Sequence, residues 1–402
     1  MSACRNMGVR MSEVCDSTEV VSQYEHFRRA VGGIVAELRL VSLRGDRGKL
    51  CAETVASVVL AVYLADAFDL KERWWVALSA YVLIRANPTV AFRRCLERLT
   101  GTVIGAFAGA LLAAFVFRDS WLTMAALALV SSLGIYCMLG SSYAYSWVLG
   151  TVTSLMVLSD AGGFISPSHL AVNRVLDVAV GVLATVTVSA ASFWIERLLR
   201  RRLSYVAPSL LAERGNHETL ALPIAGRSRY ARIGQALQGA IAIVFIALIN
   251  HFHVLPNFAQ SMVSVVAVLL VPLSVLADGR VTAAVHMRMF NRLLGCLCAA
   301  LLAAPLLPVI GETPSLCLIV LGVGVWLAAH VQAGSTEVSY IGTQFGVGFI
   351  MIFVQDHAWS TDASAALQRL MGIVVALLVL AATMATFSAV GGMMKRHVRG
   401  DA

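Results

Sequence analysis

The sequence predicts an all-α, polytopic membrane protein with about twelve transmembrane helices, arranged as two parallel repeats of six helices. Three observations predict this architecture. Of the 402 residues 58% are hydrophobic and 13% are charged, and the mean hydropathy is +0.78; soluble domains carry about 25% charged residues. Apolar stretches recur at intervals that suit membrane spans. An arginine-containing motif occurs twice, about half a chain apart.

Twelve stretches approach the roughly 20 apolar residues that a transmembrane helix needs. The second is the weakest, because it is short and Pro88 ends it. Connections between the stretches are mostly short, so consecutive helices are expected to be antiparallel neighbours. The predicted spans are 50–69, 74–88, 98–117, 121–139, 142–160, 174–196, 232–252, 258–277, 291–310, 315–332, 338–355 and 369–390.

These spans divide the chain into five predicted segments. A cytosolic N-terminal segment covers 1–49, and the first six-helix half covers 50–196. A cytosolic linker, 197–231, connects it to the second six-helix half, 232–390. Residues 391–402 form a cytosolic tail.

The distribution of Lys and Arg predicts the orientation of the chain. With the N-terminus in the cytoplasm, 26 of the 31 Lys and Arg residues fall on the cytoplasmic side. Cytoplasmic loops of membrane proteins carry an excess of these residues. Both termini are therefore expected in the cytoplasm. The net charge of +8 reflects this topology, and no nucleic-acid partner is predicted.

The repeat is predicted from matching residues at a nearly constant offset. A parallel repeat follows, because six is an even number and both halves then start on the same side. Such bundles place the substrate site near the midplane, where the halves meet. The matches are Arg94, Arg98 and Gly101 with Arg288, Arg292 and Gly295 at 194 residues, Tyr145 with Tyr340 and Arg174 with Arg369 at 195, and Asp160 with Asp356 at 196.

Glycines spaced four apart predict a close helix contact in the third span. Gly101, Gly105 and Gly109 lie on one helix face, where the absence of side chains lets another backbone approach. Gly295 opens a similar small-residue face in the ninth span.

Two stretches resemble the fusaric acid resistance family. One is R-x3-R-x2-GT-x2-G from Arg94 to Gly105, and the other is NRVLDVAVGVLA from Asn173 to Ala184. The resemblance covers both halves and is better in the first, since the position of Asp177 corresponds to Gly372 in the second. It implies an inner-membrane exporter of weak organic acids, often aromatic, with a periplasmic membrane-fusion adaptor as partner. Plant malate channels are similar, more distant relatives.

Four arginines are predicted to line the substrate pathway. Arg94 and Arg98 are four residues apart and lie on one helical face, and Arg288 and Arg292 do the same. Guanidinium groups bind carboxylates through two parallel hydrogen bonds. The alternative is a structural role, in which these arginines follow the positive-inside rule and contact lipid phosphates.

Arg174 and Arg369 are predicted on the outer side, where the charge bias disfavours arginine. Asp177 lies three residues after Arg174 on the same face, so an Arg174–Asp177 ion pair is expected, and Asp177 is a candidate proton-coupling carboxylate. The alternative for Arg174 is a solvated helix start.

Three further polar residues are predicted to face the pathway. Tyr145, Tyr340 and Gln344 lie in the fifth and eleventh spans, and their aromatic and amide groups suit an aromatic ring and its carboxylate. The alternative for the tyrosines is anchoring at the membrane interface.

Known enzyme motifs are not found, including the phosphate-binding Walker A loop, the G-x-S-x-G turn and the H-E-x-x-H helix. The chain is therefore predicted not to be an enzyme and to need no cofactor or metal. The predicted function is proton-driven antiport of organic acids. A passive organic-anion channel and a non-transporting scaffold of an envelope complex are the alternatives, and a homo-oligomer is compatible with each.

Overall fold

The computed structural model describes residues 11–41, 45–84, 88–116, 119–160, 166–202, 227–271, 275, 281–311, 313–355, 359 and 364–400. The described part of the chain is all helical and contains no β-strand, as the composition predicted.

The chain forms thirteen helices within the described ranges. They are α1 (Met11–Arg39), α2 (Gly45–Ala67), α3 (Arg73–Leu83), α4 (Pro88–Val116), α5 (Ser120–Met138), α6 (Ala144–Asp160), α7 (Pro167–Arg202), α8 (Arg227–Phe252), α9 (Phe258–Leu269), α10 (Val281–Ile310), α11 (Pro314–Gln332), α12 (Thr336–Phe353) and α13 (Ser364–Gly400).

Eight of these helices are long and apolar enough to cross a membrane, namely α2, α4, α5, α7, α8, α10, α11 and α13. The chain is thus a multi-pass membrane protein by length and composition of its helices. The four other predicted spans fall on α3, α6, α9 and α12, which have between 11 and 18 residues.

Helices α3 and α9 are shorter than predicted. At 1.5 Å per residue they are about 16–18 Å long, little more than half of the ~30 Å hydrocarbon core. Ile84 and Leu270, which follow them, are extended. The predicted spans 74–88 and 258–277 were therefore too long. Proline disfavours helical geometry in the residue before it, and Pro88 and Pro272 follow these ends in the sequence.

Four other helices are longer than predicted. Helices α4, α7, α10 and α13 have 29, 36, 30 and 37 residues, so each exceeds about 40 Å. Arg174 and Arg369 consequently lie inside α7 and α13, one to two turns after the helix start. Arg174 is only 5% exposed, so the alternative of a solvated helix start is wrong.

The helices pack in two corresponding sets. Helix α4 packs against α6 and α7, and α7 also packs against α2 and α3. In the same way α10 packs against α12 and α13, and α13 also packs against α8 and α9. Contacts between the two sets join α5 with α8, α2 with α11, α6 with α9 and α3 with α12.

Polar contacts distinguish the two ends of the bundle. At one end, called the basic end below, Arg93 donates to the Ser142 carbonyl oxygen at 3.0 Å and Lys49 pairs with Glu196 at 2.6 Å. The α2–α3 connection and the end of α6 lie at the opposite end. Arg174 pairs there with Glu72 before α3 and with Asp160 at the end of α6.

Helix α1 is attached to the basic end by Glu37. The Glu37 carboxylate accepts from Arg47 at 2.6 Å and from the Ser335 backbone N–H at 2.8 Å. Burial raises the pKa of Glu37, but these hydrogen bonds and the Arg47 charge outweigh it and lower the pKa below its usual value. The carboxylate is therefore charged at neutral pH and connects α1 to α2 and the α11–α12 turn.

Candidate functional site

Arg98 is a buried cation held by hydroxyl groups. It lies on α4, is 3% exposed and donates to Tyr145 Oη at 3.0 Å and to Ser79 Oγ at 2.8 Å. Tyr145 belongs to α6 and Ser79 to the short helix α3. Arg98, one of the predicted pathway arginines, therefore lies in the interior where α3, α4 and α6 meet, and it contacts the predicted Tyr145.

Arg292 has a matching environment in the second set of helices. It is also 3% exposed, and it donates to Gln344 Oε1 at 2.6 Å and to Ser264 Oγ at 3.1 Å. Gln344 lies on α12 and Ser264 on the short helix α9. The structure thus brings together two of the predicted residues, Arg292 and Gln344. Ser79 and Ser264 were not identified from the sequence.

The arginines one turn earlier stack on tyrosines. The guanidinium carbon of Arg94 lies 4.7 Å from the centre of the Tyr145 ring, and that of Arg288 lies 4.7 Å from the Tyr340 ring. Cation–π contacts of this kind are favourable within about 6 Å. Tyr145 and Tyr340 thus contact arginines of their own set and do not act only as interface anchors.

The glycine faces bring these side chains into contact. A Cβ atom on Gly101 or Gly105 would overlap the carbonyl oxygens of Ser146 or Gly150 on α6, and a Cβ on Gly295 would lie 2.7 Å from the Ile341 carbonyl oxygen. The predicted close packing is confirmed. It matters for the site because α6 approaches α4 closely enough for Tyr145 to reach Arg98.

Arg174 pairs with carboxylates distant in the sequence rather than with Asp177. Its guanidinium forms an ion pair with Glu72, just before α3, and lies 3.7 Å from Asp160 Oδ2 at the end of α6. Asp177 is 1% exposed within α7. A local Arg174–Asp177 pair was expected, whereas the Arg174 side chain reaches Glu72 and Asp160 at the opposite end.

A tryptophan pair on α3 lies among three of the predicted arginines. The Trp74 and Trp75 rings are 5.0 Å apart and nearly perpendicular. Arg98 and Arg174 lie 5.8 and 5.5 Å from the Trp75 ring, and Arg369 lies 5.5 Å from the Trp74 ring. This pair was not predicted from the sequence. The signal that could have identified it was two adjacent tryptophans in a span too short to cross a bilayer.

Arg98 and Arg292 differ in their partners from Arg73 and Arg174, the other buried arginines of the described residues. Arg73, Arg93 and Arg174 each pair with a carboxylate. Among the residues that the structure describes, no carboxylate lies within 4 Å of the Arg98 or Arg292 guanidinium, and the Nε atom of each has no hydrogen-bond partner. A buried charge without a counterion is costly, so this arrangement favours an anion at these positions.

The length and composition of the helices define the class of protein, a multi-pass helical membrane protein. Comparison with known families then confirms the resemblance within the first half, where residues 60–188 match the model of the fusaric acid resistance protein-like family. This region runs from α2 into α7 and contains Arg98, Tyr145 and Arg174. Neither the curated proteins nor the solved structures contain a significant match to the chain.

Proposed function

We propose that the chain is an inner-membrane transporter that exports small organic acids, with aromatic carboxylates as the preferred cargo. The observation that carries this proposal is the pair of buried guanidiniums of Arg98 and Arg292, whose hydrogen-bond acceptors within the described part of the chain are all neutral oxygens. A cargo carboxylate would supply the missing negative charge and accept bidentate hydrogen bonds. The family match over 60–188 supports a transport role.

We further propose that the chain is a parallel duplication of six helices. Support comes from the matching contacts of Arg98 and Arg292, each with a serine of a short helix and a polar side chain of the fifth helix in its half. The corresponding helix pairs in the two sets also agree. Short, discontinuous helices near the interface of repeats often form the substrate sites of transporters.

Orientation and partners follow from the same proposal. The basic end would face the cytoplasm, as the positive-inside rule favours, so that Arg94 and Arg288 attract the anion before it reaches Arg98 and Arg292. The opposite end would then face the periplasm and would be the surface for a membrane-fusion adaptor.

Proton coupling would use Asp177, a buried carboxyl group on α7. Exchange of a proton for an organic anion would allow export against a gradient. A passive anion channel is the second candidate. In the described ranges no carboxylate lies within ion-pair distance of Arg98 or Arg292. The two cations therefore have no adjacent proton acceptor among these residues, which favours the channel.

Flux of radiolabelled benzoate through proteoliposomes tests these candidates. The carrier is expected to accumulate benzoate only when a pH gradient is imposed, whereas a channel would equilibrate it without one. Glutamine at both Arg94 and Arg288 is expected to slow the flux about fivefold, which corresponds to ~1 kcal/mol, because the anion loses its attraction to the basic end. Arg229→Gln, at the exposed start of α8, is the matched control.

Two results would contradict the proposal. Unchanged flux in the Arg94→Gln, Arg288→Gln variant would exclude the pathway at the basic end. Absence of benzoate flux in the wild-type protein, with or without the gradient, would favour the scaffold alternative.

A further inference from the structure

Two arginines join the two sets of helices at the basic end. Arg47 on α2 donates from Nε to the backbone carbonyl oxygen of His330 on α11 at 3.1 Å. Arg232 on α8 donates from Nη2 to the backbone carbonyl oxygen of Tyr136 on α5 at 2.9 Å, and its guanidinium carbon lies 4.2 Å from the centre of the Tyr136 ring. Since α2 with α11 and α5 with α8 are contacts between the sets, each arginine closes one boundary at this end.

The surroundings of both arginines strengthen this closure. Arg47 also donates to the Glu37 carboxylate at 2.6 Å, and that carboxylate accepts from the Ser335 backbone N–H at 2.8 Å. Hydrogen bonds with a charged partner are roughly twice as strong as neutral ones. A Cβ atom on Gly140 would overlap the Arg232 guanidinium, so the glycine leaves room for that side chain.

At the opposite end the two sets are separated by a cleft. It holds about 230 Å³ between the ends of α4, α6 and α8 and the starts of α5 and α9. A cavity of about 150 Å³ is enough to bind benzene, so a single-ring compound fits. The other described lining residues are apolar, and the polar ones are Asp119, Ser120, Thr123, Ser159, Asn250 and His251.

Helices α5 and α8 show the contrast between the two ends along a single helix pair. At the basic end Arg232 of α8 contacts Tyr136 of α5. At the opposite end Thr123 of α5 and Asn250 of α8 both line the cleft. The pair is therefore joined at the basic end and open at the other.

Helix α9 connects the cleft with a buried cation. Phe258, its first residue, lines the cleft. Ser264 lies about 9 Å further along the helix at 1.5 Å per residue, and it accepts a hydrogen bond from Arg292. A ligand leaving Arg292 toward the opposite end would therefore reach the cleft within about two helical turns.

We propose that the structure represents the state open at the opposite end, in which Arg47 and Arg232 form a closed gate and the cleft is the vestibule through which the organic acid leaves. In the alternate state both arginines release their carbonyl partners and the cleft closes. The inference rests on the proposed transport function and adds the gate, the exit and the state of the pathway.

The lining of the vestibule suits release of an aromatic carboxylate. Apolar walls accommodate the ring, and the polar groups admit water to the carboxylate. Among the described lining residues Asp119 is the only Asp, Glu, Lys or Arg. Because like charges repel, the vestibule holds a carboxylate more weakly than the buried arginines do.

Labelling of a cysteine in the cleft tests the gate without requiring transport. The measured quantity is the rate at which a charged maleimide modifies Thr123→Cys in the purified full-length protein in nanodiscs, with the wild-type protein giving the background of the native cysteines. Glutamine at both Arg47 and Arg232 should shift the population to the state with a closed cleft, so that labelling falls about tenfold. Lysine at both positions keeps a charged donor and should retain most of the labelling.

Ser168→Cys, at the exposed start of α7, is the matched control for labelling. Its rate should be the same with and without the two arginines. Unfolded protein would label faster at both cysteines, so a decrease at Thr123→Cys alone reports closure of the cleft. Equal labelling of Thr123→Cys in the presence and absence of the two arginines would exclude the gate.

Reversible blocking tests the vestibule in protein that is already folded. Reaction of Thr123→Cys with a benzyl methanethiosulfonate should remove most of the benzoate flux through proteoliposomes, and dithiothreitol should restore it. The same treatment should leave the flux of Ser168→Cys and of the wild type unchanged. Full flux through the modified Thr123→Cys protein would exclude the cleft from the pathway.

The two measurements separate failure of this inference from failure of the proposed function. Wild-type protein that transports benzoate while neither effect is seen would remove the gate and the vestibule and leave transport intact. Absence of benzoate flux in the wild type, with cleft labelling that still depends on Arg47 and Arg232, would contradict transport and retain the gate.

Discussion

Replacing both Arg98 and Arg292 with glutamine is expected to reduce benzoate flux through proteoliposomes about 100-fold or more. Each arginine would donate charge-assisted hydrogen bonds to the cargo carboxylate, and such bonds contribute about 1.5–3 kcal/mol each. Loss of one such bond at each of the two sites weakens binding of the cargo by at least ~3 kcal/mol. Because about 1.4 kcal/mol corresponds to a factor of ten, this loss corresponds to about 100-fold. Both side chains are 3% exposed, so solvent screening does not weaken the effect.

Two control variants separate the role of Arg98 and Arg292 from general damage. Arg93→Gln removes an arginine of the same helix whose side chain is 60% exposed and paired with Glu97, and it should leave the flux unchanged. Lysine at positions 98 and 292 retains the charge but not the planar fork that binds a carboxylate bidentately. This variant should fall between the wild type and the glutamine variant. Glutamine variants that retain wild-type flux would exclude both arginines from the pathway.

The second large effect is expected from Gly105→Ala in α4. The added Cβ would overlap the carbonyl oxygen of Gly150 and lie 2.6 Å from the Gly150 Cα. Backbone atoms cannot rotate away, so α4 and α6 must separate. We expect the free energy of unfolding to fall by about 1–3 kcal/mol, the usual cost of overpacking. Thermal denaturation of the purified protein in detergent measures this loss.

Gly234→Ala is the matched control for Gly105→Ala. Nothing lies within 4 Å of a Cβ at Gly234, and alanine is a better helix former than glycine, so stability should stay equal or rise. Separation of α4 and α6 should also move Tyr145 away from Arg98 and lower benzoate flux. Equal melting curves for the wild type and Gly105→Ala would show that the close contact is not required.

The helices and much of the candidate site were predictable because their signals are local. Hydropathy identified a helix at each predicted span, and four-residue spacing placed Gly101 and Gly105 on one packing face. The matching offset linked Arg98 with Arg292, which the structure places in similar environments. These features depend on neighbouring residues or on the repetition of a short pattern.

Other features depend on contacts between distant parts of the chain. The ion pair of Arg174 with Glu72 joins residues 102 positions apart, whereas local spacing predicts Asp177 as the partner. The short helices α3 and α9 end inside the bundle because other helices surround them, which is where irregular backbone is tolerated at membrane depth.

The most direct test of the account compares benzoate with benzamide, its neutral counterpart, as stabilisers of the purified protein. Buried guanidiniums that bind a carboxylate should raise the melting temperature in benzoate, in a concentration-dependent manner, and should give no shift in benzamide. The shift should disappear in the Arg98→Gln, Arg292→Gln variant. Equal shifts from both compounds, or a benzoate shift that survives in this variant, would contradict an anion site at Arg98 and Arg292.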